Sequence, residues 1–155
     1  MIDVAASDLA SVWVQGGTAG GSETMYVRAF DGTAWSNWDS FTLTSPPNHA
    51  PVASINDQSL HINEWSQVSN LLSYSDVDGN PATEYLFFDG GNTADSGYFW
   101  TSANSHWAAS TVSAAAVDDV WVRGGAATGA EPMYVRAFDG IDWGAWHAFV
   151  LTTIV

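Results

Sequence analysis

The sequence contains no cysteine and no lysine, and these absences exclude several kinds of site. Without cysteine the chain can form neither a disulfide framework nor a thiolate metal site. Three arginines face 17 aspartates and glutamates, which gives a formal net charge of −14. Such an acidic surface repels phosphate backbones and anionic lipid headgroups, so we expect no nucleic-acid and no membrane-surface partner. It attracts cations instead.

Long apolar runs are also missing. No stretch holds the eighteen or so apolar residues of a membrane helix, so we expect no membrane insertion. No window keeps a 3.6-residue apolar period, and the pattern instead alternates in short runs bounded by glycine and small polar residues, which is typical of an all-β protein. Strands are predicted at residues 11–14, 24–30, 40–44, 59–62, 84–88 and 98–100, with second copies of the first three, and a short helical turn at residues 114–119.

An internal repeat organises the chain, because residues 25–32 and 133–140 are the same eight residues, Met-Tyr-Val-Arg-Ala-Phe-Asp-Gly. The match extends without a gap, at an offset of 108, from about residue 4 to residue 44. A unit of this length fits a sandwich domain better than a solenoid repeat. We therefore predict the C-terminal part of a preceding repeat at 1–45, a stiff proline-rich linker at 46–51 and a complete repeat at 52–155, together a segment of a larger protein.

The predicted fold is all-β, an antiparallel β-sandwich of immunoglobulin or cadherin-like type, with one complete repeat preceded by a partial repeat. The partial repeat carries late strands without early ones, which leaves an apolar face and unpaired strand edges. These strands either pack against the complete unit or pair with a neighbouring chain.

Three oxygen-bearing residues, Asp76, Asp78 and Asn80, alternate in a turn bounded by glycine and proline. Calcium takes six to eight oxygen ligands, and a short loop of this kind supplies several from one side. The spacing is not that of an EF-hand. An ordinary Asx-rich turn uses the same residues, so the local sequence leaves both interpretations open.

The order of motifs adds a resemblance. Residues 48–52, Glu64, the turn at 76–80 and the late strand at 134–140 follow one another as in cadherin-like repeats, and most closely resemble the repeats of large bacterial calcium-dependent adhesins of the RTX type. That resemblance implies an extracellular or cell-surface location and a Ca²⁺ ion near the junction between repeats. The ligands it implies are Asp76, Asp78 and Asp139, with Asn48 and Asn80 as contributors and Glu64 as a weaker candidate.

Nine tryptophans are an unusually large number for this length. We expect Trp13, Trp35, Trp121 and Trp143 to pack in or over the core, and Arg28 to lie against the indole of Trp35 or Trp38. Exposed indoles are the surfaces on which sugars and partner proteins stack. The ligand-stacking candidates are Trp38, Trp65, Trp100, Trp107 and Trp146.

No catalytic motif accompanies these features. The four histidines are scattered without metal-ligand spacing, and no nucleophile elbow or phosphate-binding loop is present. We expect a non-enzymatic, calcium-stiffened segment of a repetitive adhesin, with polysaccharide or matrix as candidate ligands. Two alternatives stay open: a self-assembling structural repeat of a fibre or surface layer joined by strand complementation, and an accessory carbohydrate-binding module of a secreted enzyme.

Overall fold

The computed structural model describes residues 1–91, 93–103 and 109–155. The chain divides into two compact units, Met1–Asn48 (unit 1) and His49–Val155 (unit 2). The helices in the described ranges are all short 3₁₀ helices, and none of them is long and apolar enough to cross a membrane.

Unit 1 is a single hairpin preceded by a 3₁₀ helix at Ala6–Ser11. Strands β1 (Gly21–Val27) and β2 (Asp39–Ser45) pair in antiparallel register. The predicted strand at residues 11–14 is wrong, because this segment has no strand partner within unit 1. Trp13, expected in or over the core, is 89% exposed.

In the described part of unit 2 there are ten strands and two 3₁₀ helices. The helices span Val68–Asn70 and Ala114–Asp119, the second where the helical turn was predicted. The strands are β3 (Val52–Ile55), β4 (Gln58–His61), β5 (Trp65–Gln67), β6 (Leu72–Ser75), β7 (Glu84–Asp89), β8 (Tyr98–Trp100), β9 (Ala109–Ser113), β10 (Trp121–Arg123), β11 (Gly129–Phe138) and β12 (His147–Ile154).

The strands of unit 2 form a β-sandwich, as the alternating pattern predicted. A five-stranded sheet has the order β4-β12-β11-β7-β9, and two smaller sheets, β5-β10-β8 and β3-β6, lie across the core from it. Every ladder is antiparallel except that between β4 and β12, which is parallel.

The core follows from the two-residue period of the strands. Along β11 the apolar residues Met133, Val135 and Ala137 are fully buried, while the residues between them face outwards. Phe87 and Phe99 meet across the sandwich with ring centroids 5.1 Å apart. Each large apolar side chain buried in this way contributes about 1.5–3 kcal/mol.

Candidate functional site

Residues 6–45 of unit 1 repeat the structure of residues 114–153 of unit 2, and we name each segment a late half. Both begin with a 3₁₀ helix. The hairpin ladders have the same register at an offset of 108, and the isolated bridge between Phe30 and Trp35 recurs between Phe138 and Trp143. The late half therefore adopts one structure in two different surroundings.

The aspartate that ends the repeated strand closes the same turn in both units. Oδ1 of Asp31 accepts hydrogen bonds of 2.8 Å from the backbone N–H groups two and three residues further along. Oδ1 of Asp139 does the same at 2.7 Å. These bonds lower the pKa of Asp31 below its ordinary value.

The surroundings of the two late halves differ. In unit 2, residues 49–113, which we name the early half, supply β7 beside β11, β4 beside β12, and both β5 and β8 beside β10. In unit 1, β1 and β2 pair only with each other among the described residues. Val135 is completely buried, whereas its counterpart Val27 is 55% exposed, and Phe41 is 45% exposed where Phe149 is buried.

Strand partners also explain why the segment around Trp13 is not a strand. Its counterpart, β10, lies between β5 and β8 and forms the middle of a three-stranded sheet. Both neighbours belong to the early half. A three-residue strand without a neighbour has no ladder in which to place its N–H and C=O groups.

The predicted turn around Asp76 forms as an Asx turn. Oδ1 of Asp76 accepts from the backbone N–H groups of Asp78 at 2.8 Å and of Asn80 at 3.0 Å. Gly79 has φ of +79°, which suits glycine. The carbonyl of Asn80 accepts a hydrogen bond from the Tyr74 hydroxyl at 2.8 Å.

Asp78 is bound by His49, a partner that sequence reasoning missed. Oδ2 of Asp78 accepts from the His49 backbone N–H at 2.6 Å, and the ring Nδ1 lies 3.1 Å from Oδ1. These hydrogen bonds, the backbone one first, hold the pKa of Asp78 below its ordinary value. No local signal links two residues 29 positions apart.

The structure brings Asp76, Asp78 and Asp139 to one end of unit 2. Burial, and after it the charges of Asp76 and Asp139, raise the pKa of Tyr74 above its ordinary value, so both carboxylates lie near its ring. The charge of Asp139 likewise opposes the lowering of the Asp78 pKa. Oδ2 of Asp76 is enclosed and has no hydrogen-bond donor among the described residues.

Glu64 lies away from this group. Its Oε2 accepts from the His61 backbone N–H at 2.6 Å, and His61 pairs with Ile154 at the end of β12. Asp139 follows the end of β11, and antiparallel β11 and β12 end at opposite edges of the sandwich. Glu64 therefore cannot share an ion with Asp139. Asn48 is the last residue of unit 1.

These donors fit a calcium ion only in part. Within residues 1–91, 93–103 and 109–155, no group of three or more histidine, aspartate or glutamate side chains is arranged to hold a metal ion. Both carboxylate oxygens of Asp78 contact His49, and Oδ1 of Asp139 closes its turn. Oδ2 of Asp76 has no hydrogen-bond donor in the part of the chain that the structure describes.

Each of the three arginines lies over two aromatic rings. The expected contact of Arg28 with an indole is present, and it involves both candidates: the guanidinium carbon is 4.2 Å from the Trp35 ring centroid and 4.5 Å from that of Trp38. The repeat is observed in unit 2, where Arg136 lies 4.7 Å and 4.6 Å from the rings of its two tryptophans. Arg123 lies over the rings of Trp65 and Tyr98.

The proposed stacking residues form clusters rather than flat surfaces. Trp65 meets Trp100 edge-on at an interplanar angle of 74°, and Trp146 meets Tyr134 at 82°. Trp38, Trp65 and Trp146 are each nearly half exposed. Trp107 lies outside the described residues.

A pair of acids at the other end of β11 was not predicted. Asp89 is buried, and burial raises its pKa to about 6. Burial also raises the pKa of Glu131, whose Oε2 has no donor in the described part of the chain. A side chain at Gly91 would overlap Oε2 of Glu131 and lie 3.1 Å from Oδ1 of Asp89, so the two carboxylates converge on this glycine.

No known protein family matches the sequence, and no curated protein is similar to it. Among solved structures, the crystal structure of domains 4 and 5 of the S-layer protein SbsC is similar, with a TM-score of 0.48 and 12% sequence identity. The match covers 86% of this chain and 58% of that chain, so the chain spans somewhat more than half of its length.

Proposed function

We propose that the chain is a non-enzymatic structural segment of a repetitive extracellular protein, in which each sandwich is built from an early and a late half. The observation that carries this proposal is the contrast between two valines at the same position of the repeated octapeptide. Val135 is completely buried, whereas Val27 is 55% exposed. Contiguous exposed apolar faces on soluble proteins mark interaction sites. We infer that further strands of the same repeat type cover this face.

The composition and the surface agree with a structural role. Two depressions on unit 1 hold one carboxylate each, Asp31 or Glu23, so neither offers the facing pair of acids that a glycosidase needs. The proposed extracellular or cell-surface location rests on the order of motifs that resembles bacterial adhesin repeats. The first 45 residues are, on this proposal, the late half of one repeat.

A fused chain tests this function directly. Residues 49–111 placed before residues 4–155 would give two complete repeats in the 108-residue register. We expect the 155-residue chain to associate as concentration rises in light scattering, because unit 1 exposes apolar surface and strand edges. The fused chain should stay monomeric and protect the β1 amides from hydrogen exchange. Unprotected β1 amides in the fused chain would contradict the proposal.

Calcium stiffening is a second candidate, favoured by the enclosed Oδ2 of Asp76 near Asp139. An ion at this end of unit 2 would relieve an unpaired carboxylate oxygen, whose burial otherwise costs free energy. Asp78 would join the site only after leaving His49. Calcium therefore competes with a hydrogen-bonded pair, and we expect weak affinity that isothermal titration calorimetry can measure.

Glycan binding receives less support from the geometry. Coplanar rings would offer an extended flat surface to a glycan, whereas Trp146 and Trp65 meet their neighbours at steep angles. Quenching of tryptophan fluorescence by soluble polysaccharide, reduced by Trp146→Ala, would favour an adhesin or carbohydrate-binding role. Unchanged fluorescence would remove the glycan-binding role.

A further inference from the structure

We propose that the late half of unit 1 is a binding site for one early half of the same repeat type, in the register that β7 and β4 adopt in unit 2. This inference rests on the proposed structural function and adds the surface, the partner and the pairing. It follows from the features of the repeat that unit 1 retains and from the strands that β1 and β2 lack beside them among the described residues.

The repeat itself identifies the partner. In unit 2 the late half pairs with an early half, through β7 beside β11 and β4 beside β12. The early half at residues 49–113 is engaged in that pairing. The occupant that we assign to the late half of unit 1 is therefore another early half of the same repeat type.

Glycine at position 17 is an independent sign of a missing partner. In unit 2, a side chain on the matching Gly125 would overlap the carbonyl oxygen of Asp95 in the early half, so only glycine fits. At Gly17 the nearest atom to such a side chain is the Ala19 oxygen at 3.8 Å, and the backbone does not require glycine. Unit 1 thus keeps a glycine whose steric reason is present only when an early half is bound.

The late half of unit 1 already has the structure that the late half adopts in unit 2. The Gly17 N–H donates to Oγ of Ser45 at 2.9 Å, as the Gly125 N–H donates to Oγ1 of Thr153 at 2.8 Å. The hairpin register and the aspartate turn are also the same in both units. A preformed site loses little conformational entropy on binding. Binding therefore requires only that the segment around Trp13 join a sheet.

The register follows from the ladder in unit 2. There Val135 lies opposite Phe87, and Tyr134 opposite Phe88. At an offset of 108, Val27 faces the incoming residue equivalent to Phe87 in an antiparallel ladder on the free edge of β1. The free edge of β2 takes a β4-type strand in parallel, as β12 does.

One position departs from this symmetry and gives the site specificity. Gly144 packs so closely on Pro51 that a side chain there would overlap the Pro51 carbonyl oxygen. The matching residue in unit 1 is Ser36. An early half identical to residues 49–113 would therefore meet the β-carbon of Ser36, and the natural partner must differ or withdraw at this point.

A disulfide test uses the absence of native cysteine. The full chain carrying Val27→Cys is mixed, under a glutathione redox buffer, with a separate polypeptide of residues 49–113 carrying Phe87→Cys. We expect a one-to-one cross-linked species, and far less with Phe88→Cys, whose side chain points to the opposite face. Adding Ser36→Gly should strengthen binding by at least about tenfold, because it removes an overpacked contact.

Two results would overturn the inference. Equal cross-linking to Phe88→Cys would show that the register is wrong, and equal cross-linking to a full chain carrying Val135→Cys would show strand exchange into unit 2. Should the separate polypeptide fail to stay soluble, the same cysteine pair is placed in the fused chain. In the fused chain, protected β1 amides together with a disulfide in the wrong register would contradict this inference alone. Unprotected β1 amides would contradict the proposed function as well.

Discussion

Val135 lies directly opposite Phe87 in the ladder between β11 and β7, and both side chains are completely buried. Val27 occupies the position of Val135 in the other copy of the octapeptide. Strand β1, however, has no neighbour at the edge where β7 pairs with β11, among the described residues. The same octapeptide is therefore observed twice, once beside a β7-type strand and once without such a neighbour. Each late-half interaction can be measured against an internal control.

Removing a core ring should cost stability in one late half only. Phe149→Ala leaves a cavity between the two sheets and should lower the free energy of unfolding of unit 2 by about 3–5 kcal/mol. Phe41→Ala removes a ring that is 45% exposed, so we expect a loss below about 1 kcal/mol. Urea unfolding at low protein concentration measures both. Similar losses would mean that the face of unit 1 is already covered.

Calcium should raise the melting temperature if the second candidate function holds. An ion bound to the folded state alone adds about 2.7 kcal/mol at a hundred times Kd, which shifts the midpoint by several degrees. The measurement is a thermal melt of calcium-stripped protein with calcium, and with magnesium for comparison. No shift at millimolar calcium would leave the Asp76 turn as an ordinary Asx turn.

Two substitutions make the calcium test specific. Asp76→Asn keeps an oxygen for the turn hydrogen bonds but removes the charge, so the shift should disappear while the fold remains. His49→Ala removes the ring contact and frees Oδ1 of Asp78, while the backbone N–H bond to Oδ2 remains, and it should strengthen calcium binding. Weaker binding in His49→Ala would indicate that His49 positions Asp78 for the ion.

Stability should fall as the pH rises from 5 to 7.5. Burial raises the pKa of Asp89 to about 6 and that of Glu131 above its ordinary value, so protonation of either favours the folded state. This contribution is complete below the unfolded values near about pH 4 and is lost as the pH rises through about 6. Urea unfolding in small pH steps measures the slope.

Neutral replacements identify the groups responsible for that slope. Asp89→Asn with Glu131→Gln should flatten it, whereas Asp118→Asn, at an exposed site, should not. Asp78 and Asp31 have lowered pKa values, so the stability that they contribute is lost only at pH below their ordinary values. A slope unchanged in the double variant would assign the pH dependence to the overall negative charge.

Arg136 should contribute to the stability of unit 2 through the planar shape of its guanidinium group. Arg136 lies between Trp143 and Trp146, and a cation over indole faces contributes about 0.5–2 kcal/mol. Arg136→Ala should lower the free energy of unfolding by about this amount, and Arg136→Lys should recover only part of it because lysine lacks the flat guanidinium. Urea unfolding compares the variants. Full recovery by lysine would show that charge alone matters.

Local patterns predicted the features that depend on neighbouring residues. The alternation of Met133, Val135 and Ala137 predicted a strand with one buried face. A contact of Arg28 with an indole of the returning segment was also expected and is present. The strand predicted around Trp13 was wrong. The segment has the alternating pattern of a strand, but the strands that flank its counterpart β10 belong to the early half. The contact between His49 and Asp78 could not be predicted from local patterns, because the two residues are 29 positions apart.

The sequence by itself determined the all-β class, the repeat, its offset and the acidic surface without thiols, because these follow from composition and from periods of two residues. Only the tertiary structure decided that Val27 is exposed while Val135 is buried, because burial depends on which strand lies opposite and not on the residue itself. It also decided that Glu64 lies at the far end from Asp139, since strand direction sets which loops meet. Identical octapeptides differ here because one has an early half beside it.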